Sequence, residues 1–171
     1  MEGGLTMALV KDVARSAAHR ALQQHWDGQI PVDPARIAMK LGMRVYRAYL
    51  DDDESGMISK RAGEPAEIVI NANEPLLRQN FTCAHELGHW FERERQDDGE
   101  YSFVDHRNAK PNDAREWFAE HFAANLLMPT REFIAAADEG LSVASLSDRF
   151  VVSQPAVRSR LRALGLLDGG H

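Results

Sequence analysis

The chain has 171 residues, 44% of them hydrophobic and 27% charged, an ordinary globular composition with enough apolar material for a core without covalent staples. Its one cysteine, Cys83, excludes an internal disulfide framework and a cysteine-rich zinc site. A formal net charge of −6 argues against a chain bound mainly through nucleic-acid phosphates. The first residues, MEGGLTMALVKD, lack a continuous apolar stretch, and no window has the length of a membrane span, so a soluble cytoplasmic protein is expected.

In chain order, residues 6–26 read as a helix, with Leu9, Val13, Ala17, Ala21 and Leu22 recurring at helical spacing until Gly28 and Pro31 end it. A short helix over 33–41 follows, with Asp33 as N-cap, Pro34 at the first helical position and Gly42 as the stop. Residues 43–50, 57–60 and 67–71 read as three short strands of a small antiparallel sheet. The acidic run at 51–54 is a solvated loop.

A helix is predicted over 76–95, then a polar loop over 96–111 with a short strand at 101–104. A long helix over 112–128 stops at Pro129, and shorter helices follow near 130–138, 142–149 and 153–164. No internal repeat or low-complexity segment is visible.

The chemistry concentrates in the two longer central helices. In His85-Glu86-Leu87-Gly88-His89 the histidines are four apart and share a helix face, so both imidazoles can donate to one tetrahedral ion. Glu86 projects near the same face, where it can take a proton from an attacking water. Gly88 sits mid-helix, where glycine costs about 1 kcal/mol relative to alanine; a second backbone passing close by would explain it.

The segment EWFAEHFAANLLM over 116–128 is apolar nearly all round, the pattern of a buried helix. Its carboxylates, Glu116 and Glu120, lie four apart on one face and need a partner there. One can ligate a metal while the other accepts the second N–H of a ligand histidine; plain salt bridges at the helix edge are the simpler alternative.

Together, NFTCAHELGHWF and EWFAEHFAANLLMP resemble the ImmA/IrrE family of gluzincin-like zinc metallopeptidases, which pair an FT-x-AHELGH helix with an E-x-x-A-N-x-F-A-x-x-LLMP helix. The resemblance runs over residues 30–165 and includes the Ser55-Gly56-Met57-Ile58 and Ile68-Val69-Ile70-Asn71 strands. Matched residue by residue, it implies His85, His89 and Glu116 as ligands of one Zn2+ per chain and Glu86 as general base. The family's asparagine is replaced here by Glu120, an acidic side chain suited to orienting a ligand histidine and able to compete for the metal.

The resemblance also implies hydrolysis of a peptide bond in a partner regulatory protein, a helix-turn-helix repressor or antitoxin, in stress response or mobile-element control. Two alternatives are the toxin of a toxin–antitoxin pair and a DNA-binding regulator with a structural metal. A two-histidine, one-carboxylate set accepts manganese as well as zinc.

The expected fold is α+β: a small antiparallel sheet beside a helical zincin-like core, with a C-terminal helix-turn-helix-like pair. Residues 1–140 would form the metallopeptidase domain with its N-terminal helix, and 141–171 a small helical segment packed on it. That segment carries Arg158, Arg160 and Arg162, which would serve DNA phosphates or guanine edges in a recognition helix; packing or partner docking is the preferred reading. Cys83 reads as a small buried hydrophobe. His106, Arg107, Tyr101 and His121 are candidate oxyanion-stabilising groups outside the catalytic set, and His19, His25 and His171 read as surface residues.

Overall fold

The computed structural model describes residues 2–94, 99–107 and 109–167, the side chains of residues 2–5 excepted. Arg95, the expected end of the first site helix, and His171 lie outside the described residues. No described helix is long and apolar enough to cross a membrane.

Two helices precede the sheet: α1 (Glu2–His25) and α2 (Pro34–Lys40). The side chain of Asp33 accepts from the Arg36 amide at 3.2 Å, Pro34 opens α2, and Gly42 at φ 86° reverses the chain into the first strand. On α1 the buried face is alanine-rich: Ala14, Ala17, Ala18 and Ala21 are inaccessible, whereas Leu9 is 57% exposed. Four-residue spacing predicts Leu9 facing inward, but each such step drifts by about 40° around a helix of 3.6 residues per turn, which carries Leu9 off the face that Val10, Ala14, Ala17 and Ala21 turn to the core.

The sheet contains β1 (Arg44–Ala48), β2 (Glu54–Lys60), β3 (Glu67–Asn71) and β4 (Tyr101–His106) in the order β1-β3-β2-β4. It is mixed, not purely antiparallel. β2 and β3 form the expected hairpin, but β1 pairs with β3 in parallel, from Arg44 opposite Glu67 to Ala48 opposite Asn71. β4 occupies the other side of β2 and so forces β1 to the far edge of β3. Alternation along each strand turns Ile58, Ile68, Ile70 and Phe103 to one face, which α3 (Leu76–Glu94) covers.

α4 (Ala114–Leu127) packs on α3 and α1, its first turn capped by Asp113, which accepts from the Glu116 amide at 2.9 Å. The chain closes with α5 (Thr130–Asp138), α6 (Val143–Phe150) and α7 (Gln154–Ala163), whose Phe133, Leu146, Phe150, Val157 and Leu161 join the same hydrophobic core.

Arg160 of α7 is buried. Its guanidinium donates to the Met128 carbonyl at 2.9 and 3.2 Å, to Asn125 Oδ1 at 3.0 Å and to Thr130 Oγ1 at 2.9 Å. These bonds satisfy acceptors at the C-terminal end of α4, where helical carbonyls have no partner within the helix.

Two glycines let α3 approach its neighbours at backbone distance. A Cβ on Gly56 of β2 would stand 2.5 Å from Thr82 Cγ2, and one on Gly88 would stand 2.9 Å from the Ala119 Cα of α4. The backbone inferred to pass close to Gly88 is therefore α4. Gly88→Ala should gain about 1 kcal/mol in helix propensity but lose about 1–3 kcal/mol to overpacking, and more if the two helices must part. A net loss of stability in urea unfolding is expected; an unchanged or raised midpoint would show that the contact yields without cost.

Candidate metal centre

On α3, positions 78, 81, 85 and 89 recur every three or four residues and form one stripe. His85 and His89 lie edge to face with ring centres 4.8 Å apart, both inside the protein. Phe103 of β4 stacks on His89 at 5.2 Å, and Arg115 covers Phe103 at 5.2 Å, so the His89 ring is held by packing.

Glu116, in the first turn of α4, reaches both rings. Its Oε2 stands 3.3 Å from His85 Nε2 and its Oε1 3.2 Å from His89 Nε2. One donor atom from each of the three residues fits within 4.8 Å of the others. Zinc bonds of about 2.0–2.1 Å give a tetrahedron with donor atoms about 3.3 Å apart, close to these two separations. Glu120, one turn further along α4, places Oε2 3.6 Å from the other nitrogen of His85, Nδ1. The two glutamates thus face opposite nitrogens of one imidazole.

Neither carboxylate is sealed in the core: the side chains of Glu116 and Glu120 are 33% and 42% exposed. The mainly apolar α4 buries Phe118, Phe122 and Leu126 and turns its glutamates to the rim of a cavity. The fully buried carboxylate is Glu86, at 0% exposure, with neither oxygen hydrogen-bonded; both ring nitrogens of His85 also lack a partner of hydrogen-bonding geometry. Buried polar atoms left in this state cost stability unless a partner is supplied. A divalent cation among three donors, next to a buried carboxylate, is a partner of the right charge.

Charge coupling follows from this packing. Burial alone pushes the His85 imidazole down, but Glu116 and then Glu120 outweigh it and raise it to about 10. The same contact with His85 and His89 holds Glu116 well below the usual carboxylate range. Burial pushes Glu86 up to about 8, and raises Asp105 as well.

The cavity over the cluster measures about 90 Å³ and is lined by His85, Glu116, Glu120, Phe81, Asp105, Arg78 and His106, among others. Arg78 and Asp105 escaped the sequence reading. Both carry a signal in retrospect: Arg78 is two turns before His85 on the same stripe, and Asp105 follows Tyr101 and Phe103 on the inward side of β4.

Of the four oxyanion candidates, only His106 lines this cavity. Arg107 is held by the buried Glu74 at 3.1 Å, Tyr101 sits at the other end of β4, and His121 stacks on Trp117 on another side of α4. Cys83 is buried and its thiol is pushed up to about 12, which suits a packing role. His19 is exposed and His25 half-buried.

These shifts set how the metal-free chain should respond to pH. His85 holds its proton more tightly folded than unfolded, so its contribution is complete below about pH 6.5 and is lost as pH rises through about 10. Glu86, raised from 4.5 to about 8, acts in the same direction. Glu116 acts oppositely, losing its contribution only on strong acidification. With chelator present, the melting temperature should therefore fall between pH 6 and 9, and Glu86→Gln should flatten that fall. A melting temperature that rises over this interval would contradict the assigned couplings.

Residues 38–162 match the family model of the M78 peptidases, described as the IrrE N-terminal-like domain. No individually curated protein matches the chain significantly. Among solved structures, a Mycobacterium tuberculosis transcriptional regulator superposes with a TM-score of 0.62 at 19% identity. The match covers 91% of this chain and 51% of that one, so the present chain spans about half the length of that protein. At this identity the likeness speaks for the fold alone. The family model, covering well over half of the sequence and both site helices, decides the affiliation: the chain belongs to the M78 peptidase family, through its IrrE N-terminal-like domain.

Proposed function

We propose that this chain is a zinc metallopeptidase in which His85, His89 and Glu116 hold one zinc ion and Glu86 is the general base. The observation that carries this reading is the set of three donor residues within 4.8 Å, beside a fully buried, unpartnered glutamate. Bound there, zinc would lower the pKa of water and polarise a substrate carbonyl. Glu86, the carboxylate buried beside the donor cluster, takes a proton from the attacking water and delivers it to the departing amide nitrogen. Glu120 faces Nδ1 of His85 and orients the ring so that Nε2 turns to the ion. Arg78 and His106, on the cavity wall, offer N–H donors to the carbonyl oxygen.

The proposed substrate is a peptide bond in a cytoplasmic regulatory protein of helix-turn-helix repressor or antitoxin type. The competing reading, a DNA-binding regulator using α7, is weakened by Arg160, whose guanidinium is committed to Met128, Asn125 and Thr130.

Metal content by mass spectrometry, paired with cleavage of a proteome-derived peptide library, tests the assignment. Wild type and Glu86→Gln should each carry one zinc per chain, with cleavage falling about 10²–10⁴-fold in the variant. Glu116→Ala should lose the metal, and Glu120→Ala should keep more of it. A folded wild type that takes up no zinc under zinc-replete conditions would sink the reading.

A further inference from the structure

A trough of about 690 Å³ runs along α4 between α1 and α7. Ala124 and Met128 form part of its floor. Lys11, Arg15 and His19, spaced four apart, line the α1 wall; Ala156, Ser159 and Ala163 line the α7 wall. At one end the trough meets the cavity of the metal centre, because Phe81 and Glu120 line both.

We propose that this trough is the docking site for an amphipathic helix of the substrate protein, carrying acidic residues along one flank. The inference deepens the peptidase reading and rests on it for the word substrate.

Backbone chemistry selects a helix. The floor and both walls are helices whose amides and carbonyls are already paired, so an extended segment lying here would leave its own backbone groups without partners. A helix satisfies its own and offers an apolar stripe to the small-residue floor. From Glu120 to Met128 the floor rises about 12 Å at about 1.5 Å per residue, long enough for about two helical turns.

Charge selects the acidic flank. The chain is negative overall, yet the trough carries Lys11, Arg15 and Arg160 against Asp12 and Glu120. Asp12 meets Arg15 at 2.9 Å, while the hydrogen-bond acceptors around Arg160 are neutral, so its charge is not cancelled by them. Two histidines beside these cations are disfavoured as cations themselves, burial first and the neighbouring charges second. His19 is lowered by burial and then by Arg160 and Arg15; His121 is lowered by burial and then by Lys11, with Glu120 opposing. Continuity with the cavity gives the trough its purpose: a helix seated there leads the adjoining segment past Phe81 and Glu120 to the zinc ligands.

The test is selection of a random 14-residue display library on the full, zinc-loaded Glu86→Gln chain, followed by fluorescence polarisation of the enriched peptides. Enriched sequences should show apolar residues at helical spacing with an Asp/Glu flank. Their affinity should fall at least tenfold with Lys11→Glu/Arg15→Glu and with Ser159→Trp, both placed at exposed positions so that fold and zinc content persist. No enrichment above background, enrichment without this pattern, or binding indifferent to both variants would overturn the proposal. Cleavage assays on the otherwise unsubstituted chain separate the two readings. Binding without hydrolysis by a zinc-loaded chain keeps the trough and sinks the peptidase; hydrolysis with binding indifferent to the trough variants does the reverse.

Discussion

The backbone contact between Gly88 on α3 and Ala119 on α4 is the constraint on which the site depends. Gly88 lies three residues after His85 and one before His89, and Ala119 lies three after Glu116. Closing the helices at that point brings the Glu116 carboxylate over both imidazoles, at 3.2 and 3.3 Å. Any side chain at position 88 would meet the Ala119 Cα at 2.9 Å and push the carboxylate outward. On its other side α3 is set against the sheet by the second close approach, Thr82 to Gly56. The helix carrying the histidines therefore has little freedom, and metal geometry tolerates displacements of only about 0.2 Å.

That rigidity has an electrostatic cost. Two buried imidazoles, the fully buried Glu86, the half-buried Asp105 and the rim carboxylates share a small volume. In the absence of a cation, the fold can only adjust by moving protons, raising His85 to about 10 and Glu86 to about 8. A divalent ion held by the same donors would relieve that strain differently, through the nitrogen lone pairs and a lower cost for a charged Glu86. The cluster could therefore hold a cation at less cost than a neutral packing arrangement of the same groups would suggest.

Much of this was legible because it rests on local periodicity. Four-residue spacing placed His85 with His89 and Glu116 with Glu120, and the helical cost of Gly88 pointed to a close backbone neighbour. Asp33 with Pro34 marked the start of α2 because capping chemistry is local. What escaped depends on the partners of each element. The parallel β1–β3 pairing follows from β4 taking the free edge of β2, an event some forty residues away in sequence. Leu9 stands four residues before Val13, but successive four-residue steps drift around the helix, and the buried face runs through Val10 and Ala14 instead. Arg78 and Asp105 become site residues only when α3, β4 and α4 close one cavity.

Arg160 shows the same limit and links the ends of the chain. Its sequence context, among Arg158 and Arg162, suggests a surface for an anionic polymer; in the fold it reaches back 32 residues to the carbonyl of Met128, which caps α4. Burying a guanidinium is expensive, and burial lowers its proton affinity to about 10. An aliphatic side chain would fill the space but leave the Met128 carbonyl and Asn125 Oδ1 without this donor. The arginine therefore fixes α7 to the end of the helix whose beginning carries Glu116. The spacing of the α7 wall and the position of the Glu116 carboxylate are consequently set by the same rod, α4.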